Sequence, residues 1–119
     1  MRVVINYTGK KIKLDARKTG AFSKGLGLMF KSRETENLLF DFGRNVKYLF
    51  HSFFVFFPFL IIFLDENNKV IECRIAKPFQ LCIKPKEKYR KVVELPFNSK
   101  NEKIIQLFMA KSPVKKPFV

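Results

Sequence analysis

A run of alternating cationic residues, KPKEKYRK, contains the side chains that could most directly do chemistry. Its candidate anion-binding members are Lys84, Lys86, Lys88, Tyr89, Arg90 and Lys91. In a loop leading into a strand, alternate basic side chains fall on one side and can follow a phosphate backbone, while the tyrosine could stack on an unpaired base. The alternative is a solvated turn whose lysines discourage edge-to-edge pairing of sheets.

Catalytic arrangements are hard to build from the other polar residues. His51 and Ser52 are adjacent, and neighbouring residues of a strand point to opposite faces, so they do not form a nucleophile–base pair. Asp41 and Asp65 could face each other across a sheet as a carboxylate pair. Each also follows an apolar run, where a carboxylate commonly accepts turn amide hydrogens. We therefore expect no catalytic residue and favour a binding module over an enzyme.

The two cysteines do not predict a metal site. Cys73 and Cys82 together with a single histidine do not make a spaced ligand set. The N-terminus, MRVVINYTGKK, has no secretory signal, so we expect a cytoplasmic protein whose thiols are reduced and fill the core. A disulfide between them stays open. No metal or cofactor is expected.

The net charge is the clearest indication of a partner. Twenty-four Lys and Arg face ten Asp and Glu, which gives a formal net charge of +14. Such an excess favours an acidic partner: nucleic acid, anionic lipid or an acidic protein. The alternative is a Lys-rich surface of the kind found in thermophiles, where Glu rises together with Lys. Glu does not keep pace in this chain.

The apolar stretch from Tyr48 to Asp65 must be either a membrane span or the core. The seventeen residues from Tyr48 to Leu64, thirteen of which are Leu, Ile, Phe or Val, would span roughly 25 Å as a helix, the lower edge of what a bilayer requires. Flanks of 47 and 55 residues would remain, with 11 and 13 Lys and Arg. Neither flank has the size to fold alone, and their charges show no asymmetry. We therefore interpret the stretch as core, with FFVFF and FLIIFL as successive buried strands around Pro58.

Other short strands lie on both sides of this core. They are predicted as an opening hairpin over residues 2–16 with Gly9 in its turn, a strand over 38–43, a hairpin partner over 69–75 and a strand over 90–96. Helix signals are weak: residues 17–30 combine weak helical spacing with three glycines, which together indicate a short irregular helix. Ser99 with Glu102 indicates a capping box that opens one or two turns.

Together these elements predict a single domain over residues 1–111, of α+β and mainly β class. We expect a small curled sheet or barrel of short, mostly antiparallel strands with one or two short helices. Residues 107–111, LFMAK, are predicted to close the domain as a strand. Residues 112–119 form a basic, Pro-rich tail that we expect to fray.

Four blocks occur in an order typical of one family. They are KLDARKTGAFSKGLGLMFKS, LLFDFG, PFLIIFLDENNKVIE and KPFQLCIKPKEKYRKVVELP, which together cover roughly residues 12–108. The chain thus resembles the family catalogued as domain of unknown function 192, most strongly in Gly27–Phe30 and Ile61–Asp65. The resemblance implies a compact, mostly β fold and brings no agreed activity.

The sequence departs from the family pattern around the central proline. Many members carry Trp-Met-x-Asn-Thr before it and an acidic residue two positions after it. The corresponding positions here include His51, Ser52, Phe54, Val55 and Leu60. If the family's polar groups build a pocket, the resemblance implies that this chain has largely replaced the polar side chains of that pocket with apolar ones.

The leading functional hypothesis is a monomer that binds a polyanion such as RNA or DNA through the basic loop, without spanning a membrane. Two alternatives stay open. One is a structural or protein-interaction module with a Phe-rich surface, since the chain has 15 phenylalanines. The other is a barrel that binds a small molecule.

Overall fold

Seven strands and one helix make up the regular structure of the described residues in a computed structural model of the chain. The structure describes residues 1–20, 28, 31–50, 52, 55–80 and 83–110. The elements are β1 (Arg2–Tyr7), β2 (Lys10–Asp15), β3 (Arg17–Thr19), β4 (Leu38–Val46), β5 (Phe59–Leu64), β6 (Val70–Ala76), β7 (Tyr89–Pro96) and α1 (Glu102–Ala110). The predicted α+β, mainly β class is confirmed.

The opening hairpin forms where the sequence predicts it. β1 and β2 pair antiparallel, with Val3 opposite Leu14. At the turn, Thr8 and Gly9 have φ angles of 48° and 80°. Two successive left-handed residues suit the tight hairpin turn whose twist matches that of the flanking strands. Glycine adopts this conformation easily, whereas the threonine does so at a steric cost.

The other five strands form one sheet in the order β3-β4-β7-β5-β6. β3 and β4 are parallel, and the remaining neighbours are antiparallel. Neither sheet closes into a barrel. Of the two predicted forms, a small sheet and a barrel, the sheet is therefore the correct one. β3 has only three residues and β6 is paired on one side only, which leaves both as edges of the sheet.

The middle of the apolar stretch is the core of this sheet. All six residues of β5 are buried, and β5 lies between β7 and β6. The predicted FFVFF strand is wrong for residues 55–57, which form no strand. A turn closed by the bond from Val55 N to Ser52 O (3.2 Å) precedes them, and Pro58 follows. The described part of Tyr48–Asp65 contains no helix. No helix of the described residues is long and apolar enough to cross a membrane.

Each face of the sheet carries its own hydrophobic cluster. On the first face the hairpin and α1 cover the sheet, through residues that include Ile5, Leu14, Leu60, Ile62, Val93, Ile105 and Phe108. On the second face irregular segments cover it, through residues that include Leu28, Phe50, Val55, Phe57, Ile61, Phe63, Ile83 and Tyr89. Because both faces are covered, the exposed residues of this sheet lie mainly at β3 and at the end of β4, and the rest of the exposed surface belongs to the hairpin, the helix and the connecting segments.

The helix begins near its predicted start but continues further. Asn98 Oδ1 accepts a hydrogen bond from Asn101 N at 3.1 Å, so the capping side chain is Asn98 and not Ser99. The predicted strand over 107–111 is wrong for residues 107–110, which belong to α1. The expected helix over 17–30 is replaced by β3 at residues 17–19. The rest of that segment lies outside the described residues, except for residues 20 and 28, and so do residues 111–119.

Candidate functional site

The predicted basic run divides into an exposed half and a paired half. Lys84, Lys86 and Lys88 are exposed, and within the described residues none of the three forms an ion pair. The backbone N–H of Lys86 donates to Glu72 Oε1 at 3.0 Å, which fixes the loop against β6. These three lysines are therefore open to solvent.

The two cations after the loop belong to β7 and are already engaged. The Arg90 guanidinium lies 4.0 Å from Asp41 Oδ1 and 3.7 Å from Glu66 Oε2. Lys91 Nζ donates to Asn68 Oδ1 at 2.7 Å. Both side chains are half-buried. They are thus less available to a phosphate than the three lysines before them.

Tyr89 is a core residue, which corrects the expectation that it stacks on a base. Its side chain is fully buried, and its ring centroid lies 4.9 Å from that of Phe63. The hydroxyl donates to Tyr48 O at 2.8 Å. Burial raises the pKa of this phenol well above its usual value. A buried ring presents no face to a ligand.

The fold brings a second cationic segment beside the loop. Val46 is the register partner of Tyr89, and Phe50 forms an isolated antiparallel bridge with Ile83. Residues 44–50 therefore run antiparallel to residues 83–89. We call the exposed cations of these two segments the cationic edge. Its members are Arg44, Lys47, Lys84, Lys86 and Lys88.

The cationic edge has little acidic compensation. Glu87 is the one acidic residue of the two segments, and it is exposed. Beside the cations lies Tyr48, which is half-buried and accepts a hydrogen bond from Arg44 Nη2 at 3.0 Å. Tyr48 is therefore a partly exposed aromatic residue beside these cations. Five exposed cations thus lie on two adjacent segments of the described surface.

The positions at which the family pattern is lost do not form one polar site. Val55 and Leu60 are buried in the clusters on opposite faces of the sheet. Ser52 is fully buried and holds the turn at residues 77–80. His51 and Phe54 lie outside the described residues. Nothing in the described part of this region gathers polar groups around a cavity.

The two aspartates are separate and have turn roles. Asp41 Oδ1 accepts from Gly43 N at 2.9 Å. Asp65 Oδ1 accepts from Asn67 N and Lys69 N at 2.8 and 2.9 Å. Because β7 lies between β4 and β5, the two carboxylates do not meet as an acid–base pair.

The sequence analysis missed Glu94, a carboxyl group in the middle of the sheet. Its register partners on either side are Leu38 and Ile61, and the residue is 4% exposed. No hydrogen bond or ion pair joins it to another described residue. Burial in these apolar surroundings raises its pKa to about 8. The signal that could have revealed it is the single carboxyl within the apolar run VVELPF.

A polar cleft of about 630 Å³ lies between the end of β2 and the start of α1. Its floor is tied together by Asn101, which donates from Nδ2 to Asn37 Oδ1 and to Pro96 O at 2.7 and 2.8 Å. Asn37 in turn donates to Asp15 O. This network joins the hairpin to the helix. It does not include any residue of the cationic edge.

The described residues contain no group of three or more His, Cys, Asp or Glu side chains that could hold a metal ion. Cys73 lies half-buried on β6, where it contributes with burial to raising the pKa of Tyr7. Cys82 lies outside the described residues.

Comparison with known proteins matches the chain to an uncharacterized family and to one curated relative. The family model of DUF192, described as "Uncharacterized ACR", matches residues 3–107. A UPF0127 protein of Pyrococcus horikoshii, PH1112, is 32% identical over 74 residues, which are 61% of this chain and 64% of that protein. The match therefore spans less than two thirds of the relative's length.

Two solved structures share the fold. One is a "putative transcription regulator" from Sinorhizobium meliloti 1021, with a TM-score of 0.71 and 19% identity over 87% of this chain and 82% of that one. The other is a protein of unknown function from Novosphingobium aromaticivorans DSM 12444, with a TM-score of 0.71 and 17% identity over 87% and 76%. At these identities the likeness concerns the fold alone.

Proposed function

We propose that this chain, which belongs to the DUF192 family of uncharacterized proteins, binds a nucleic-acid polyanion along its cationic edge. The observation that carries the proposal is the exposure of five cations without an ion pair on the adjacent segments 44–50 and 83–89. A phosphate backbone presents one negative charge per nucleotide, so a row of separated cations complements it better than a single cluster does.

The small number of ion pairs among the described residues supports a polyanion as the ligand. Ion pairs among the described residues involve Arg17, Arg74 and Arg90, while the net charge of the chain is +14. Most cations are therefore left to the solvent and its counterions. Release of those counterions is the main source of sequence-independent affinity for nucleic acid.

The salt dependence of binding tests the proposal quantitatively. Five phosphate contacts give a slope of log K against log salt of about −3.5 on single strands and about −4.5 on duplex. Replacing Lys84, Lys86 and Lys88 by glutamate removes three of the five contacts and leaves a single-strand slope of about −1.4. The measurement is fluorescence anisotropy of labelled RNA and DNA over a salt series starting at about 50 mM.

A charge-matched control separates the edge from the general charge of the protein. Lys10, Lys11 and Lys13 are exposed on β2, which covers the opposite face of the sheet from residues 50 and 83. Their replacement by glutamate lowers the net charge by the same six units. We expect this variant to keep the slope of the unchanged protein. Equal losses in both triple variants, or no binding by the unchanged protein at low salt, would discard the proposed interface.

A further inference from the structure

Two phenylalanine side chains are exposed at positions that follow the first segment of the cationic edge and precede the second in the chain. Phe56 is 58% and Phe79 47% exposed. Their ring centroids lie 5.4 Å apart, with the planes at 71°. Burying a phenylalanine contributes about 1.5–3 kcal/mol to folding, so the fold forgoes that gain at two adjacent positions. Among the described residues, the expected Phe-rich surface reduces to this pair.

The backbone of Phe79 adopts a conformation that is unfavourable for a non-glycine residue. Its φ angle is 60°, in the left-handed region that costs a non-glycine residue roughly 1–2 kcal/mol. The surrounding turn is held by buried Ser52, whose Oγ donates to Lys77 O at 2.5 Å and accepts from Gln80 N at 2.6 Å. The Phe79 N–H donates to Ser52 O at 2.9 Å. Strained residues fixed by their surroundings cluster at functional sites.

The aromatic pair continues the cationic edge. The bond from Ser52 N to Gln80 O at 2.9 Å extends the antiparallel pairing that begins at Phe50 and Ile83. Lys84 follows Phe79 by five residues, which is at most about 17 Å of extended chain. Exposed Lys77 precedes Phe79 by two residues. Exposed cations thus flank the ring on both sides in the chain.

We propose that Phe79, supported by Phe56, is a stacking platform for an unpaired base, so that the ligand of this site is single-stranded nucleic acid. This inference rests on the proposed function and narrows its substrate class. A single strand offers what the surface complements: regularly spaced negative charges and exposed π-faces. In a duplex the bases face each other, and their π-faces are covered by their neighbours in the stack.

The test compares one labelled oligonucleotide as a single strand and as a blunt duplex, with the full chain and the Phe79→Gly variant. Stacking on an aromatic side chain contributes about 1–3 kcal/mol per base, which corresponds to about a fivefold to 150-fold loss of single-strand affinity. The duplex affinity should stay unchanged. Glycine also removes the left-handed strain, so the melting temperature should hold or rise. A purely structural role would lower it.

Leu107 provides the matched control, because it is 48% exposed on α1, which covers the opposite face of the sheet. Leu107→Ala should change neither affinity. If the protein binds both nucleic acids and Phe79→Gly leaves single-strand binding intact, the platform is refuted while the proposed function stands. If the protein binds neither, both fail. A second measurement uses phosphatidylserine–phosphatidylcholine vesicles. If Phe79→Gly loses binding to these vesicles while its single-strand binding is unchanged, the Phe56–Phe79 pair is a membrane-binding surface and the inference is overturned.

Discussion

The carboxyl group of Glu94 gives the sharpest prediction of how stability depends on pH. Its side chain lies in the second hydrophobic cluster between the neighbouring strands, with no hydrogen bond or ion pair to another described residue. Burial penalises the charged form and raises the pKa from 4.5 to about 8. Glu94→Gln keeps nearly the same shape but cannot ionise. The variant therefore isolates the cost of charging this one buried group.

The sign follows from the direction of the pKa shift. The folded protein holds the Glu94 proton more tightly than the unfolded chain does, so its contribution is fully present below pH 4.5 and is lost as the pH rises through 8. One pKa unit corresponds to about 1.4 kcal/mol. A shift from 4.5 to about 8 thus lowers the free energy of unfolding by about 3 kcal/mol between pH 4 and pH 7, and by about 5 kcal/mol at pH 9.

Urea unfolding at a series of pH values measures the pH-dependent contribution of Glu94 to the free energy of unfolding. The difference between Glu94→Gln and the unchanged protein cancels the titration of all other groups that the substitution leaves undisturbed. The amide adds a constant offset, because its own desolvation does not vary with pH. We expect the glutamine variant to gain about 3 kcal/mol relative to the unchanged protein between pH 4 and pH 7. Parallel stability curves across this range would refute the reasoning, since they would mean that the carboxyl is solvated or paired.

Two further predictions test particular contacts. Tyr89→Phe removes one buried hydrogen bond and should cost about 1 kcal/mol in urea unfolding while leaving nucleic-acid affinity unchanged; weaker single-strand binding at unchanged stability would contradict its place in the core. Asn98→Ala should lower the free energy of unfolding by about 1 kcal/mol, and Ser99→Ala should lower it by much less. If Ser99→Ala had the larger effect, Ser99 and not Asn98 would be the residue that caps the helix.

The strands were predictable wherever side-chain type and turn chemistry agreed. β5 is a run of six apolar residues that ends at Asp65, and it forms as expected. The absence of a strand at residues 55–57 was not predictable, since their apolar content matches that of β5 and the hydrogen bond from Val55 N to Ser52 O sets a turn there. The end of α1 carried a signal that was missed. Ile105, Phe108 and Met109 are buried, and their spacing of three and four residues is the helical period.

The proposed binding surface was predictable only in part, because pairing between distant segments creates it. Sequence alone identifies Lys84, Lys86 and Lys88 as a basic run. That Arg44 and Lys47 lie beside them depends on a register between residues 46 and 89. That Arg90 is engaged depends on acidic residues 49 and 24 positions before it in the chain. Such contacts follow from topology, which local patterns do not encode.

The two-sided core is compatible with the proposed binding surface at the cationic edge. Apolar side chains cover the sheet on both faces, so burying a polar side chain between them is energetically costly. Glu94 is the exception among the described residues of the sheet, and its burial favours the neutral form of its carboxyl group. Exposed cations lie on the hairpin, the helix, β3, the end of β4 and the connecting segments. Residues 44–50 and 83–89 run antiparallel, and the exposed ring of Phe79 lies in the turn that Ser52 holds. Binding along this edge needs no polar pocket. It is therefore compatible with Val55 and Leu60 at the positions where the family pattern is polar.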